Sequence, residues 1–175
     1  MRAALLAFAV MGSFSGGAAN AQNAAANAAP PKACGDRAEE HELDFWIGDW
    51  DVLDDGRLIA HSNIRRLAES CVVLETYSQP DGYTGQSINF YDATLRKWRQ
   101  TWVDRLGTVS EFAGERRLGA MELVGETHTI GGRTILRKMT LSRDAAGDVR
   151  QQSQRSDDGG ASWRSAYDYV YRRGK

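Results

Sequence analysis

The sequence has no apolar run long enough to cross a bilayer, no C-x-x-C pair, no histidines at metal-ligand spacing and no G-x-S-x-G turn. Each absence removes a class of function. A spanning helix needs about 20 apolar residues, and the apolar run Ala3–Met11 is too short. With only Cys34 and Cys71, and no histidine near either, a zinc site has no ligand set. His41, His61 and His128 form neither H-x-H nor H-E-x-x-H, and they are expected at the surface or a mouth. No helical segment supplies the strand-to-helix turn of a serine hydrolase. Lys and Arg (22) nearly balance Asp and Glu (23), and no basic cluster suits nucleic acid.

What is present begins with an export signal. Arg2 precedes the apolar run, and small residues follow it down to Ala19-Asn20-Ala21, an A-x-A cleavage pattern. Residues 1–21 are therefore expected to be a signal peptide, with the mature chain starting near Gln22 in the periplasm or outside the cell. Cys34 lies behind Pro30-Pro31-Lys32-Ala33, well beyond the apolar run, so a lipoprotein anchor is not expected. Residues 22–33, rich in Ala, Asn and Pro, read as a disordered linker. Residues 34–175 are then one domain with one core. In an oxidising compartment Cys34 and Cys71 are expected to pair, adding about 3 to 4 kcal/mol in the chain-entropy model.

Within that domain a short helical candidate, Glu39–Gly48, is followed by period-two patterning broken by turn signals such as Asp54-Asp55-Gly56 and Pro80-Asp81-Gly82. Ten strands are expected, at 49–54, 57–67, 71–78, 84–92, 96–104, 108–115, 118–127, 132–143, 147–155 and 162–172. No connection is long enough for a parallel crossover, so the sheet should be antiparallel. A flat meander would leave two open edges, whereas an up-and-down barrel removes them. The expectation is an all-β, ten-stranded antiparallel barrel with the helix at one mouth and Phe45, Trp46 and Trp50 as its plug. A sandwich is the alternative.

Alternation also nominates interior residues. In Lys97–Asp104 the inward set is Trp98, Gln100, Trp102 and Asp104, because the other choice leaves two indoles in water. In Cys71–Tyr77 the sets Val73/Glu75/Tyr77 and Val72/Leu74/Thr76 compete, and the inward face is undecided. In Arg133–Leu141 the apolar face carries Ile135, Arg137, Met139 and Leu141. Tyr167, Tyr169 and Tyr171 share a face, suiting a pocket wall or the closing seam. A buried charge needs a partner, and Glu75 with Arg137 is the natural pair. Either these groups satisfy one another, or they meet the polar atoms of a ligand in a cavity. Gly114 and Gly119 are candidate points of sharp curvature.

The stretch SDDGGASW (156–163) fits the Asp-box pattern of glycan-processing propellers. It occurs once, where a propeller repeats its motif. Its two aspartates are adjacent, whereas a glycosidase needs carboxyl groups about 5 to 10 Å apart across a cleft. It predicts a hairpin rather than sugar chemistry.

LDFWIGDWDV (43–52), followed in order by SCVVLETY, GYTGQSINFYD, WRQTWVD, VRQ and SDDGGASW, resembles a family of secreted bacterial proteins of unknown function. Its members share an F-D-F-W-[IL]-G-[DE]-W-D-V signature, and the match runs from about Cys34 to Arg172. The resemblance implies a calycin-like barrel, similar to lipocalins, fatty-acid-binding proteins and nitrobindins, with a small hydrophobic or amphipathic ligand inside. Phe45, Trp46, Gly48 and Trp50 take the place of a motif similar to the lipocalin G-x-W, whose Trp closes the barrel floor. Where other members often carry Trp near the eighth strand, this chain has Lys138-Met139-Thr140. The haem-ligating His of nitrobindin-like proteins has no matching position, and no haem, metal or other cofactor is expected.

Together these readings predict an exported small-molecule-binding protein whose ligand residues are Glu75, Tyr77, Asn89, Trp98, Gln100, Trp102 and Arg137. The alternative is an enzyme of lyase, isomerase or hydrolase type, with Glu75 as general acid or base and Arg137 or Gln100 stabilising an oxyanion. Neither nucleic acid nor a membrane anchor is expected as a partner, and a homodimer is left open.

Overall fold

A computed structural model describes residues 34–67 and 71–174. The expected signal peptide (1–21) and linker (22–33) lie outside the described residues. Ten strands follow one another: β1 Gly48–Asp54, β2 Arg57–Arg66, β3 Val73–Ser78, β4 Thr84–Asp92, β5 Lys97–Asp104, β6 Val109–Arg117, β7 Ala120–His128, β8 Thr134–Arg143, β9 Val149–Ser156 and β10 Arg164–Arg173. Each is antiparallel to its chain neighbours, and β10 returns to β1 from Trp50↔Arg173 to Asp54↔Tyr169. That closure makes an up-and-down barrel and rules out the sandwich. It also gives every strand a partner on both sides.

The short N-terminal helix lies where expected, at one mouth of the barrel, and takes the form of two successive 3-10 turns, Ala38–His41 and Asp44–Trp46. The span cannot propagate an α-helix, because β1 takes over at Gly48 and the chain is pinned upstream. The pin is Glu40, whose carboxylate accepts the Gly35 amide at 2.7 Å, the Arg37 amide at 3.2 Å and the Arg37 guanidinium at 2.7 Å. The hydrogen bonds and the adjacent guanidinium outweigh the cost of burial and hold this carboxyl below its usual range. A disulfide joins Cys34 to Cys71, just before β3. Disulfides persist in oxidising compartments, so this bond is consistent with an exported chain.

Because all connections are hairpins, turns alternate between the two ends of the barrel. The N-terminal turns close one end, where Trp46 and Trp50 are buried and the Trp50 indole donates to the Trp46 carbonyl at 2.8 Å. Trp46 meets Tyr171 edge to face at 6.0 Å, a favoured ring geometry. The Trp98 indole anchors the plug from β5, donating to the Glu39 carbonyl at 3.1 Å and the Glu42 carboxylate at 3.2 Å. Above the plug the lower barrel is filled by Val73, Met121, Leu123, Met139 and Leu141.

Two glycines set the curvature of the β6–β7 pair. A Cβ on Gly114 would lie 1.8 Å from the Glu122 carbonyl oxygen, and one on Gly125 would lie 1.8 Å from that of Glu111. Only a residue without a side chain permits that approach. Gly119, also expected to bend the chain, sits in the tight β6–β7 turn at φ +88°.

Candidate ligand cavity

The end of the barrel opposite the plug holds a cavity of about 500 Å³, within the range of small-molecule sites. Three strands show how it is built. Along β3 the inward side chains rise from Val73 to Glu75 to Tyr77, which settles the face that the sequence leaves open. Along β5 they rise from Trp98 through Gln100 and Trp102 to Asp104. On β10 a bulge at Ala166, between Ser165 and Tyr167, sets the register that turns Tyr167, Tyr169 and Tyr171 toward the cavity.

The floor is polar. Glu75 is 3 % exposed, and its carboxylate accepts the Ser62 hydroxyl at 3.0 Å on Oε1 and the Ser87 hydroxyl at 3.0 Å on Oε2. The Tyr171 hydroxyl stands 3.4 Å from Oε1 and donates more closely, at 2.7 Å, to Gln151 Oε1. Gln100 donates to Asn89 Oδ1 at 2.7 Å, and Asn89 in turn donates to Ser87 at 2.9 Å. One hydrogen-bonded chain thus joins Gln100 to Glu75 and Gln151. Burial pushes the Glu75 carboxyl from its ordinary 4.5 up to about 7, against the downward pull of its hydroxyl donors. The group therefore exchanges a proton near neutral pH.

The walls are aromatic. Tyr77 meets Trp102 edge to face at 5.9 Å and Tyr83 at 6.3 Å. Tyr167 and Tyr169 stack at 4.6 Å with their planes 13° apart. Trp102 owes its place to Gly85, where a Cβ would lie 2.2 Å from the indole. Burial raises the Tyr77 hydroxyl to about 12, and it raises Tyr167, Tyr169 and Tyr171 as well. All four are neutral donors at physiological pH. At the mouth Asp104 accepts the Tyr83 hydroxyl at 3.0 Å and the Leu106 and Thr108 amides at 2.9 Å, so its charge is committed to the β5–β6 turn.

Arg137 enters from β8. Its Nη2 donates to the Ser153 hydroxyl at 3.0 Å, and its guanidinium lies 5.5 Å from the centre of the Tyr167 ring. Its Nε is buried with no partner among the described residues. The expected pairing with Glu75 does not form. In the closed order β8 is five strands from β3 through β4, and five through β1, so the two charges stand on opposite sides of the barrel with the cavity between them.

Glu75, Tyr77, Gln100, Trp102 and Arg137 all line this space, and Asn89 and Trp98 do not. Asn89 lies beneath the floor, held by the Val73 carbonyl at 3.0 Å, and it orients Gln100. Trp98 is four residues below Trp102, roughly 13 Å along the strand, and belongs to the plug. Sequence reasoning did not select Gln151, Phe112 or Thr127. β9 reads VRQQSQRS, with almost no apolar signal to mark its inner face. The three β10 tyrosines did carry a signal, but it fitted a seam equally well.

No protein-family model matches this chain, and no curated protein matches it significantly. The closed ten-strand barrel is compatible with a calycin-like plan. Among the described residues no three His, Cys, Asp or Glu side chains cluster as a metal site requires. In SDDGGASW, Asp158 accepts the Ser156 hydroxyl at 2.7 Å, the Ser162 amide at 3.0 Å and the Ser162 hydroxyl at 2.6 Å. Those donors hold its carboxyl well below the usual range. Asp157 pairs with Arg155 and Arg164. Both carboxylates are engaged in the β9–β10 turn, and neither lines the cavity.

Proposed function

We propose that this chain is an exported binding protein, a member of the secreted family its motifs resemble, that holds a small amphipathic molecule in its barrel. The observation that carries the reading is the pair of ionisable groups, Glu75 and Arg137, that line one cavity of about 500 Å³ from opposite walls without meeting. A barrel meant only to be filled would place aliphatic side chains there, since unpaired buried polar groups cost stability. A ligand with an acceptor at one end supplies the partner that the Arg137 Nε lacks, and a polar atom at its other end adds to the hydroxyls already on Glu75. Residues 1–21 and the Cys34–Cys71 bond fit a periplasmic or secreted location.

Native mass spectrometry of protein purified from its own periplasm tests the reading. A bound small molecule is expected, and Arg137→Met should lose it while keeping the β-sheet circular dichroism. Recovery of the wild type only at its unliganded mass counts against the proposal.

One observation favours the catalytic alternative: the Glu75 carboxyl titrates near neutrality, as a general acid or base should. Glu75→Gln separates the two. A binder should change affinity modestly, whereas an enzyme should lose turnover by about a hundredfold or more.

A further inference from the structure

We infer that the ligand is an aromatic carboxylic acid carrying a hydroxyl at the end remote from its acid group, an inference that rests on the binding reading above. The first observation is what the cavity wall omits. Among the residues lining it there is no Leu, Ile, Val, Met or Ala; its apolar surface comes from Tyr, Trp and Phe side chains. Most buried aliphatic side chains lie lower down, in the packed half of the barrel, and Ile135, buried near the mouth on β8, does not line the cavity. A fatty-acyl chain needs a flexible aliphatic lining. Rings at fixed angles suit a flat aromatic body, because aromatic pairs favour edge-to-face and offset geometries. Tyr77 and Trp102 rise from β3 and β5, while the stacked Tyr167 and Tyr169 rise from β10, so a planar guest has rings on two sides.

Arg137 defines the acid end. It makes no carboxylate pair among the described residues, its Nε is unpartnered, and its planar fork matches a carboxylate. Glu75 defines the other end. Three hydroxyls approach a carboxylate with about four acceptor positions, and one of them, Tyr171, directs its proton mainly to Gln151. Glu75 therefore keeps room to accept a hydroxyl from the ligand, beside the Gln100 amide. Because β3 and β8 are diametrically placed, acid and hydroxyl must lie at opposite ends of the molecule.

The test uses the full purified chain and a hydroxynaphthoate whose hydroxyl and carboxylate sit at opposite ends of the fused rings, titrated by calorimetry and by tryptophan fluorescence. Comparators are its methyl ester, the naphthoate lacking the hydroxyl, laurate and glucuronate. The hydroxynaphthoate should bind most tightly, with the ester and the deoxy compound each weaker by tenfold or more. Arg137→Gln should erase the acid–ester difference, and Arg137→Lys should restore part of it; circular dichroism reports whether each variant is folded. Tighter binding of laurate or glucuronate overturns the ligand class and leaves the binding reading standing. If no probe binds and native mass spectrometry retains an adduct without an aromatic ring, the class is again overturned. If no probe binds and the native protein is unliganded, both readings fall together.

Discussion

Glu75 illustrates how a single residue takes its properties from its surroundings. Its neighbours are hydroxyls, and the nearest arrangement of charge that sequence suggested, Arg137, is across the barrel. Desolvation therefore dominates, and the folded state binds the Glu75 proton more tightly than the unfolded chain does. Between pH 4.5 and about 7 the native state holds more protons at this site, so its contribution to stability is full below 4.5 and is lost as pH rises through 7. The whole effect is at most about 3 kcal/mol. Thermal melts of wild type and Glu75→Gln over that window should show a wild-type Tm that falls relative to the variant as pH rises. Parallel curves would mean that Glu75 does not carry the titration. The Asp-box aspartate is the opposite case, since Asp158 is exposed and surrounded by donors, and its charge is stabilised rather than suppressed.

At the scale of the element, three glycines divide into two kinds. Gly114 and Gly125 face backbone carbonyls, which cannot move without disturbing the β6–β7 ladder. Gly85 faces the far end of the Trp102 side chain, which can rotate. Gly125→Ala should therefore lower the urea midpoint by the equivalent of about 3 kcal/mol or more, whereas Gly85→Ala should cost nearer 1 kcal/mol. The second substitution should instead displace the indole toward the cavity and weaken ligand binding, read as a shift in tryptophan emission together with a reduced calorimetric affinity. Similar losses of stability from both would remove the distinction.

At the scale of the molecule, the barrel is two compartments. The lower half is closed by the 3-10 turns and filled with aliphatic and indole side chains, while the upper half keeps polar and aromatic groups around a space. The Cys34–Cys71 bond ties the closing segment to β3 across 37 residues of chain. Reducing it, or replacing both cysteines by serine, should cost about 4 kcal/mol in the chain-entropy model. Chemical denaturation with and without a reductant measures that loss, and an unchanged midpoint would show that Glu40 and the tryptophans alone secure the plug.

Strand number, strand order and strand boundaries to within two residues were legible in the amino-acid sequence because they depend on local physics. Alternation has a period of two, turn residues have their own backbone preferences, and β4 runs over 84–92 as the pattern predicts. The short helix was legible as well, but its 3-10 form and its end at Trp46 were not, because helix-forming residues say nothing of how soon Gly48 must enter β1. The inner face of β3, the separation of Glu75 from Arg137 and the demotion of Trp98 to the plug were decided only by tertiary structure. Each depends on closure, which sets who stands opposite whom and at what height. Alternation reports in or out along one strand; it carries no information on the distance across a barrel or on which layer is left open.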